Sequence, residues 1–212
     1  MIKNKSKSTR IHLFLLLVVT AVFIWSVIKP TGGYSSWATE AIPAIVGIII
    51  VIVTYNKFRL TTLSYMIILI LTIVMLVGGH YTYTRVPIFN WIKDNFDLNR
   101  NHYDRFGHLL KGMITIVIRE ILLRKTQLTK GSWLFSIVIS ISLAIAAMYE
   151  IIEFLFVKIT QGGKTAENFL GMQGDQWDSQ WDMLLALIGS ILALIFLSKL
   201  HDRFLKNEIN KK

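Results

Sequence analysis

The stretch "GDQWDSQWDMLLALIGSILALIFLSK", residues 174–199, sets three aspartates and two tryptophans directly before an apolar run that ends at Lys199. Aspartate is among the costliest residues to place in lipid. Asp175, Asp178 and Asp182 therefore either stop at a membrane boundary or face other polar groups inside a bundle. The run from Met183 to Leu200 is long enough, at about 1.5 Å per residue, to cross a hydrocarbon core of about 30 Å. Five further apolar stretches match it: Ile11 to Ile28, Ala38 to Tyr55, Leu60 to Gly78, Arg105 to Leu123 and Trp133 to Val157. The expected fold is all-α, a polytopic transmembrane bundle of about six helices.

Composition agrees. Of 212 residues, 53% are hydrophobic and 17% charged, with a mean hydropathy of +0.52, whereas a soluble domain carries about 25% charge. The absence of cysteine excludes disulfides and thiolate metal sites, so any metal would be held by His, Asp, Glu and water. The first stretch follows Lys3, Lys5, Lys7 and Arg10, but it is long for a cleaved signal and no Ala-x-Ala follows, so it reads as a helix.

With an inner N-terminus, 14 of the 23 lysines and arginines fall on inner segments, 7 on outer segments and 2, Lys111 and Arg119, within a helix. The positive-inside bias then puts both termini in the cytoplasm and explains the net charge of +10 without nucleic acid. Residues 1–10 read as a basic cytoplasmic N-terminus, 11–78 as three apolar scaffold helices and 79–104 as an outer loop. Residues 105–200 read as a three-helix bundle with a polar site and an outer loop over 158–182, and 201–212 as a basic cytoplasmic tail. The outer loops hold His80, Tyr81, His102, Asp104, Lys164, Glu167 and Asp175, so any chemistry belongs to the outer face.

Three polar clusters converge there. Asp104, His108, Lys111, Thr115 and Arg119 are spaced 4, 3, 4 and 4 apart, one stripe of the fourth helix. Arg119 and Glu120, near the inner boundary, read as interfacial anchors. Glu150 and Glu153 lie roughly 25 and 30 Å along the fifth helix and share a face. Ser140, Ala144 and Ala147 continue that face as a small-residue seam. On the sixth helix Asp178 and Asp182 stand above a seam of Ala186, Gly189 and Ala193. The plain reading of these aspartates is capping, with Ser179 and Asp182 at capping-box spacing and Trp177 and Trp181 in the aromatic belt.

The site reading assigns catalytic roles to Asp104, His108, Glu150, Glu153, Asp178 and Asp182. His80, Tyr81, Arg100, His102, Arg105, Lys111, Asp175 and Trp177 are expected to bind substrate. His108, Glu150, Glu153 and Asp182 offer oxygen and imidazole ligands for a divalent metal ion such as zinc, manganese or magnesium.

"HYTYTRVP" at 80–87, "RNHYDRFGH" at 100–108, "RE" at 119, "YEIIE" at 149–153 and "GDQWDSQWDM" at 174–183 resemble the YjdF-like bacterial inner-membrane proteins. The resemblance implies a multi-pass protein of the inner membrane and carries no established activity. A fainter likeness is to the VanZ-like proteins linked to glycopeptide resistance. Their Asp-Lys-x-x-His, Glu-x-x-Gln and Asp-x-x-x-Asn-x-x-Gly pattern corresponds here to Asp104, Arg105 and His108, to Glu150 with Glu153 in place of Gln, and to Asp182, Ala186 in place of Asn, and Gly189. That likeness implies a shared helix arrangement.

Three functions stay open. The first is an enzyme acting at the outer leaflet on a lipid headgroup or lipid-linked envelope precursor, with general acid, general base and a metal-bound water. The second is a transporter or ion pathway. The third is a noncatalytic membrane partner whose polar network fixes the bundle.

Overall fold

The computed structural model describes residues 2–163 and 169–209, with side chains for 8–163 and 169–208; Lys164, Glu167, Lys211 and Lys212 lie outside the described residues. The helices are α1 Ile2–Val27, α2 Gly33–Thr54, α3 Thr62–Tyr81, α4 Pro87–Asn95, α5 Tyr103–Lys111, α6 Ile114–Lys125, α7 Ser132–Thr160 and α8 Asp178–Ile209, with a 3-10 turn at Tyr83–Arg85. No strand occurs among the described residues. Among the described residues, five helices, α1, α2, α3, α7 and α8, are long and apolar enough to cross a membrane.

Local chemistry sets the breaks. Thr61 caps α3, its hydroxyl accepting from the Ser64 amide at 3.3 Å. Pro87 opens α4, where its missing N–H costs nothing. Helix α7 ends at Gln161, left-handed with φ 55°, and the Gly162 amide then bonds the Val157 carbonyl at 3.1 Å.

The fourth apolar stretch, expected as one helix, is two. Helices α5 and α6 meet at Gly112 and Met113, where regular bonding lapses into i+3 turns such as Met113 N–H to Leu110 C=O at 2.8 Å. The cause is a close crossing. A Cβ at Gly112 would run into the backbone of Gly189 and Ser190 on α8, and a Cβ at Gly189 into the Leu109 carbonyl. Helix α8 buries Ala186, Gly189 and Ala193 against this partner, as a small-residue seam should.

On α7 the buried seam is not the expected one. Ser140 and Ala144 are exposed; Leu134, Val138, Ser142, Glu150 and Glu153 are buried, and Ser142 Oγ meets Ser190 Oγ at 2.9 Å. Helices α1 and α2 pack on α3, while α5, α6 and α7 pack on α8. The apolar faces left outward, such as Phe14 and Leu17 on α1, Ile50 and Val53 on α2, and Ile195 and Phe196 on α8, are those of a bundle solvated by hydrocarbon.

Side-chain bonds define two ends. At one end Arg59, before α3, meets Ser8 of α1 at 3.1 Å and Glu208 of α8 at 3.9 Å, and Arg124 of α6 donates to the Arg59 carbonyl at 2.7 Å. At the other end the Thr31 amide bonds the His80 carbonyl at 2.8 Å, and the segment 171–178 lies against Arg100 and Arg105. The α5–α6 pair runs beside α8 from the second end to the first.

Candidate functional site

At the second end, Arg100 and Arg105 hold the segment that leads into α8. Arg100 pairs with Asp178 and donates to the Gly171 carbonyl at 3.3 Å; Arg105 pairs with Asp175 and lies 3.5 Å from Asp178. Asn101 adds a reciprocal pair with Gln173, each bond 2.9 Å. Both guanidinium groups are thus engaged within the protein rather than open to a phosphate, and Asp178 serves this clamp. Asp175 closes the turn just before α8, its carboxylate accepting from the Trp177 amide at 2.9 Å. That bond, then Arg105 and Arg100, holds the Asp175 carboxyl below the usual carboxylate range. Burial, then Arg105 and Arg100, holds the His102 imidazole below its usual range, so it is neutral at pH 7.

Beneath the clamp lies a buried cluster. One ligand-type atom each from Asp104, His108 and Asp182 lies within 4.8 Å of the others, and the three residues are 9%, 2% and 3% exposed. His108 Nε2 is 3.6 Å from Asp104 Oδ1, 3.8 Å from Glu150 Oε1 and 2.8 Å from Lys111 Nζ. Lys111 also sits over the Tyr149 ring at 4.6 Å. Glu153 is buried within electrostatic reach of Glu150, Asp104 and Lys111, but outside the triad. The aspartates at the head of α8 therefore do face polar groups from α5 and α7. The close Gly112–Gly189 crossing is what brings α5 and α8 near enough.

Glu40, on a helix expected to be scaffold, belongs here too. It is 4% exposed and within electrostatic reach of Asp104 and Lys111. A lone acid inside a 22-residue apolar helix was the signal in the sequence. His80 and Tyr81 fall elsewhere: the His80 ring packs on Trp25 at 4.3 Å and on Tyr81 at 4.6 Å, and Nδ1 meets the Ser26 carbonyl at 3.1 Å. Trp177 is exposed, and His102 stands beside the clamp.

Arg119 and Glu120 are not interfacial anchors. Both are buried, at 6% and 0% exposure, because α6 packs between α3 and α8. Glu120 accepts from the Thr61 amide at 2.9 Å, from the Ser64 hydroxyl at 2.6 Å and from Arg124 at 2.5 Å, with His201 Nε2 at 3.4 Å. Arg119 bonds His201 Nδ1 at 2.7 Å and Asp202 at 2.8 Å. This second network draws on His201 and Asp202, which lie in the stretch that the sequence alone presents as a basic tail.

An apolar cavity of about 610 Å³ joins the two levels. Its walls are Pro43, Gly47 and Val51 of α2, Ile68 and Met75 of α3, Ile114, Val117 and Ile121 of α6, and Ile145 and Ala146 of α7. His108, Lys111 and Tyr149 line it on the cluster side and Phe58 and Lys125 on the other, roughly 21 Å apart at the helical rise from Lys111 to Lys125.

The family profile described as "Predicted membrane protein (DUF2238)" matches residues 11–203. The inner membrane protein YjdF of Escherichia coli (strain K12) is 37% identical over 191 residues, 90% of each chain. No solved structure matches. A match across nearly the whole chain, with long apolar helices throughout, places it in the bacterial inner membrane: the chain belongs to the DUF2238 family of predicted membrane proteins.

Proposed function

We propose that the protein is a membrane enzyme that acts from the outer face on the headgroup of a lipid or lipid-linked precursor. One observation carries this reading: the acid, histidine and lysine cluster stands at the head of a half-open apolar cavity between α2, α3, α6 and α7. A hydrocarbon tail fits that cavity's chemistry, and its headgroup would then meet His108, Lys111 and Tyr149. His108 is positioned to take a proton, Glu150 or Asp182 to give one, and Lys111 to neutralise a phosphate.

The topology that goes with it is six crossings, with α5–α6 as the fourth, and both termini cytoplasmic. In support, α5–α6 accompanies α8 from the Asp182 level to the Asp202 level, and the end carrying Arg59, Arg124, Lys125 and Lys130 is the basic one. Helix α4 exposes Ile88 and Trp91, with Phe96 just beyond it, as an interfacial helix would.

A second reading, a proton or ion pathway, draws on the inner network around Glu120 and His201, with the Ser142–Ser190 pair between it and the outer cluster. Reconstitution into phosphatidylethanolamine and phosphatidylglycerol vesicles separates the two. The enzyme reading expects new headgroup phosphorus signals and no proton flux. Flux without any headgroup product would replace it with the pathway reading.

A further inference from the structure

We infer that Asp104, His108 and Asp182 form a binding site for one divalent cation of the zinc–manganese class, with Glu150 as a fourth ligand. The site is built on α5, α7 and α8 together. Zinc takes nitrogen and oxygen ligands at about 2.0–2.2 Å, so two ligands of one ion stand at most about 4.4 Å apart. Atoms already within 4.8 Å of one another need only small side-chain adjustments to close on it.

A separate observation points to a ligand. Glu150 Oε1, on a different helix from the triad and outside it, is buried without a hydrogen-bond partner while lying 3.8 Å from His108 Nε2. Asp182 Oδ1 is likewise buried and unpartnered. Buried acceptors are rarely left so, and a bound ion is one of the few physical reasons for it.

Charge adds to this. Glu40, Asp104, Glu150, Glu153 and Asp182 face one ammonium, that of Lys111, because Arg100 and Arg105 are taken up by Asp175 and Asp178. Lys111 Nζ, 2.8 Å from His108 Nε2, occupies the side of the ring that faces Asp104 and Glu150, so it competes with the ion. The Tyr149 and Tyr83 rings, 4.6 and 5.6 Å away, give the displaced ammonium a place to go. Imidazole in the donor set favours a transition metal such as zinc over calcium, and the carboxylates also suit manganese.

The inference uses the residues of the proposed enzyme but not its substrate, so metal binding without lipid turnover would sink only the enzyme reading, and turnover without metal only this one. The test is elemental analysis of full-length protein purified in mild detergent without chelator, followed by zinc and manganese titration read as a shift in melting temperature. The wild type is expected to bind one ion per chain. Removing even an outer partner of a metal ligand costs about 10–100-fold in affinity, so Asp182→Asn and His108→Gln should lose at least about 100-fold. Glu153→Gln, which removes a nearby charge but no ligand, should lose much less than Asp182→Asn, and Lys111→Met should bind more tightly, since the competing charge is gone. Absence of bound metal, with no stabilisation of either wild type or Lys111→Met by zinc, manganese or magnesium, would overturn the inference. So would wild-type affinity in Asp182→Asn.

Discussion

Replacing Gly189 by alanine tests the crossing on which the cluster of Asp104, His108 and Asp182 depends. The new Cβ falls on the Leu109 carbonyl, and backbone cannot rotate aside as a side chain can, so α5 and α8 must separate. Overpacking of a tight contact costs about 1–3 kcal/mol, and a backbone obstacle puts this case near about 3. Alanine regains about 1 kcal/mol of helix propensity, leaving a net loss of about 2 kcal/mol. For a chain of this size that is a fall of about 4–8 °C in melting temperature. Gly47, inside α2, is the control: a Cβ there meets nothing within 4 Å, so Gly47→Ala should hold or raise the melting temperature by up to about 4 °C. The assay is a thermal melt in one detergent for all three proteins. If Gly189→Ala melts at or above the wild type, the crossing is not tight and the placement of the cluster is wrong.

Arg100→Leu removes the principal partner of Asp178, which is 2% exposed, and should cost about 3 kcal/mol in a thermal melt, most of it returned by adding Asp178→Asn. Acid should act in two windows. A His102 held below its usual range binds fewer protons folded than unfolded, so stability falls as pH drops below about 6.5. That first loss should vanish in His102→Asn. Asp175 is held below the carboxylate range, so its contribution is complete above about 3.9 and is lost only as pH falls through its lowered value; Asp175→Asn should abolish this second loss. For topology, Trp91→Cys should react with an impermeant thiol reagent in intact cells while Lys125→Cys is protected; the reverse pattern would invert the assignment, and the absence of native cysteine keeps the readout clean.

The apolar runs and the α8 seam were legible in the sequence because both depend on period and residue size, which a single helix displays. What escaped depends on two helices at once. Nothing local in "HLLKGMITI" distinguishes a tolerated glycine from one pressed against Gly189, so the break between α5 and α6 was invisible. On α7 the small residues Ser140 and Ala144 precede Glu150 as a candidate seam just as Val138 and Ser142 do, and only the partner Ser190 decides. Arg100 and Arg105 looked free to bind substrate because their partners Asp178 and Asp175 lie 78 and 70 positions further on, respectively. Glu120 looked like an anchor because its partners Thr61 and His201 come from α3 and α8.

The central claim is that Asp104, Glu150 and Asp182 act together on a ligand and do not merely hold the bundle. The direct test is to make Asp104→Asn, Glu150→Gln and Asp182→Asn, singly and combined, and to measure melting temperature and lipid headgroup turnover on the same preparations. Amides of the same shape relieve like-charge repulsion among these acids, so with both proteins stripped of metal each variant should melt at or above the wild type. Each alone should abolish turnover, with no further loss on combination. Lowered melting temperatures with turnover retained would contradict the account and leave the cluster a structural network.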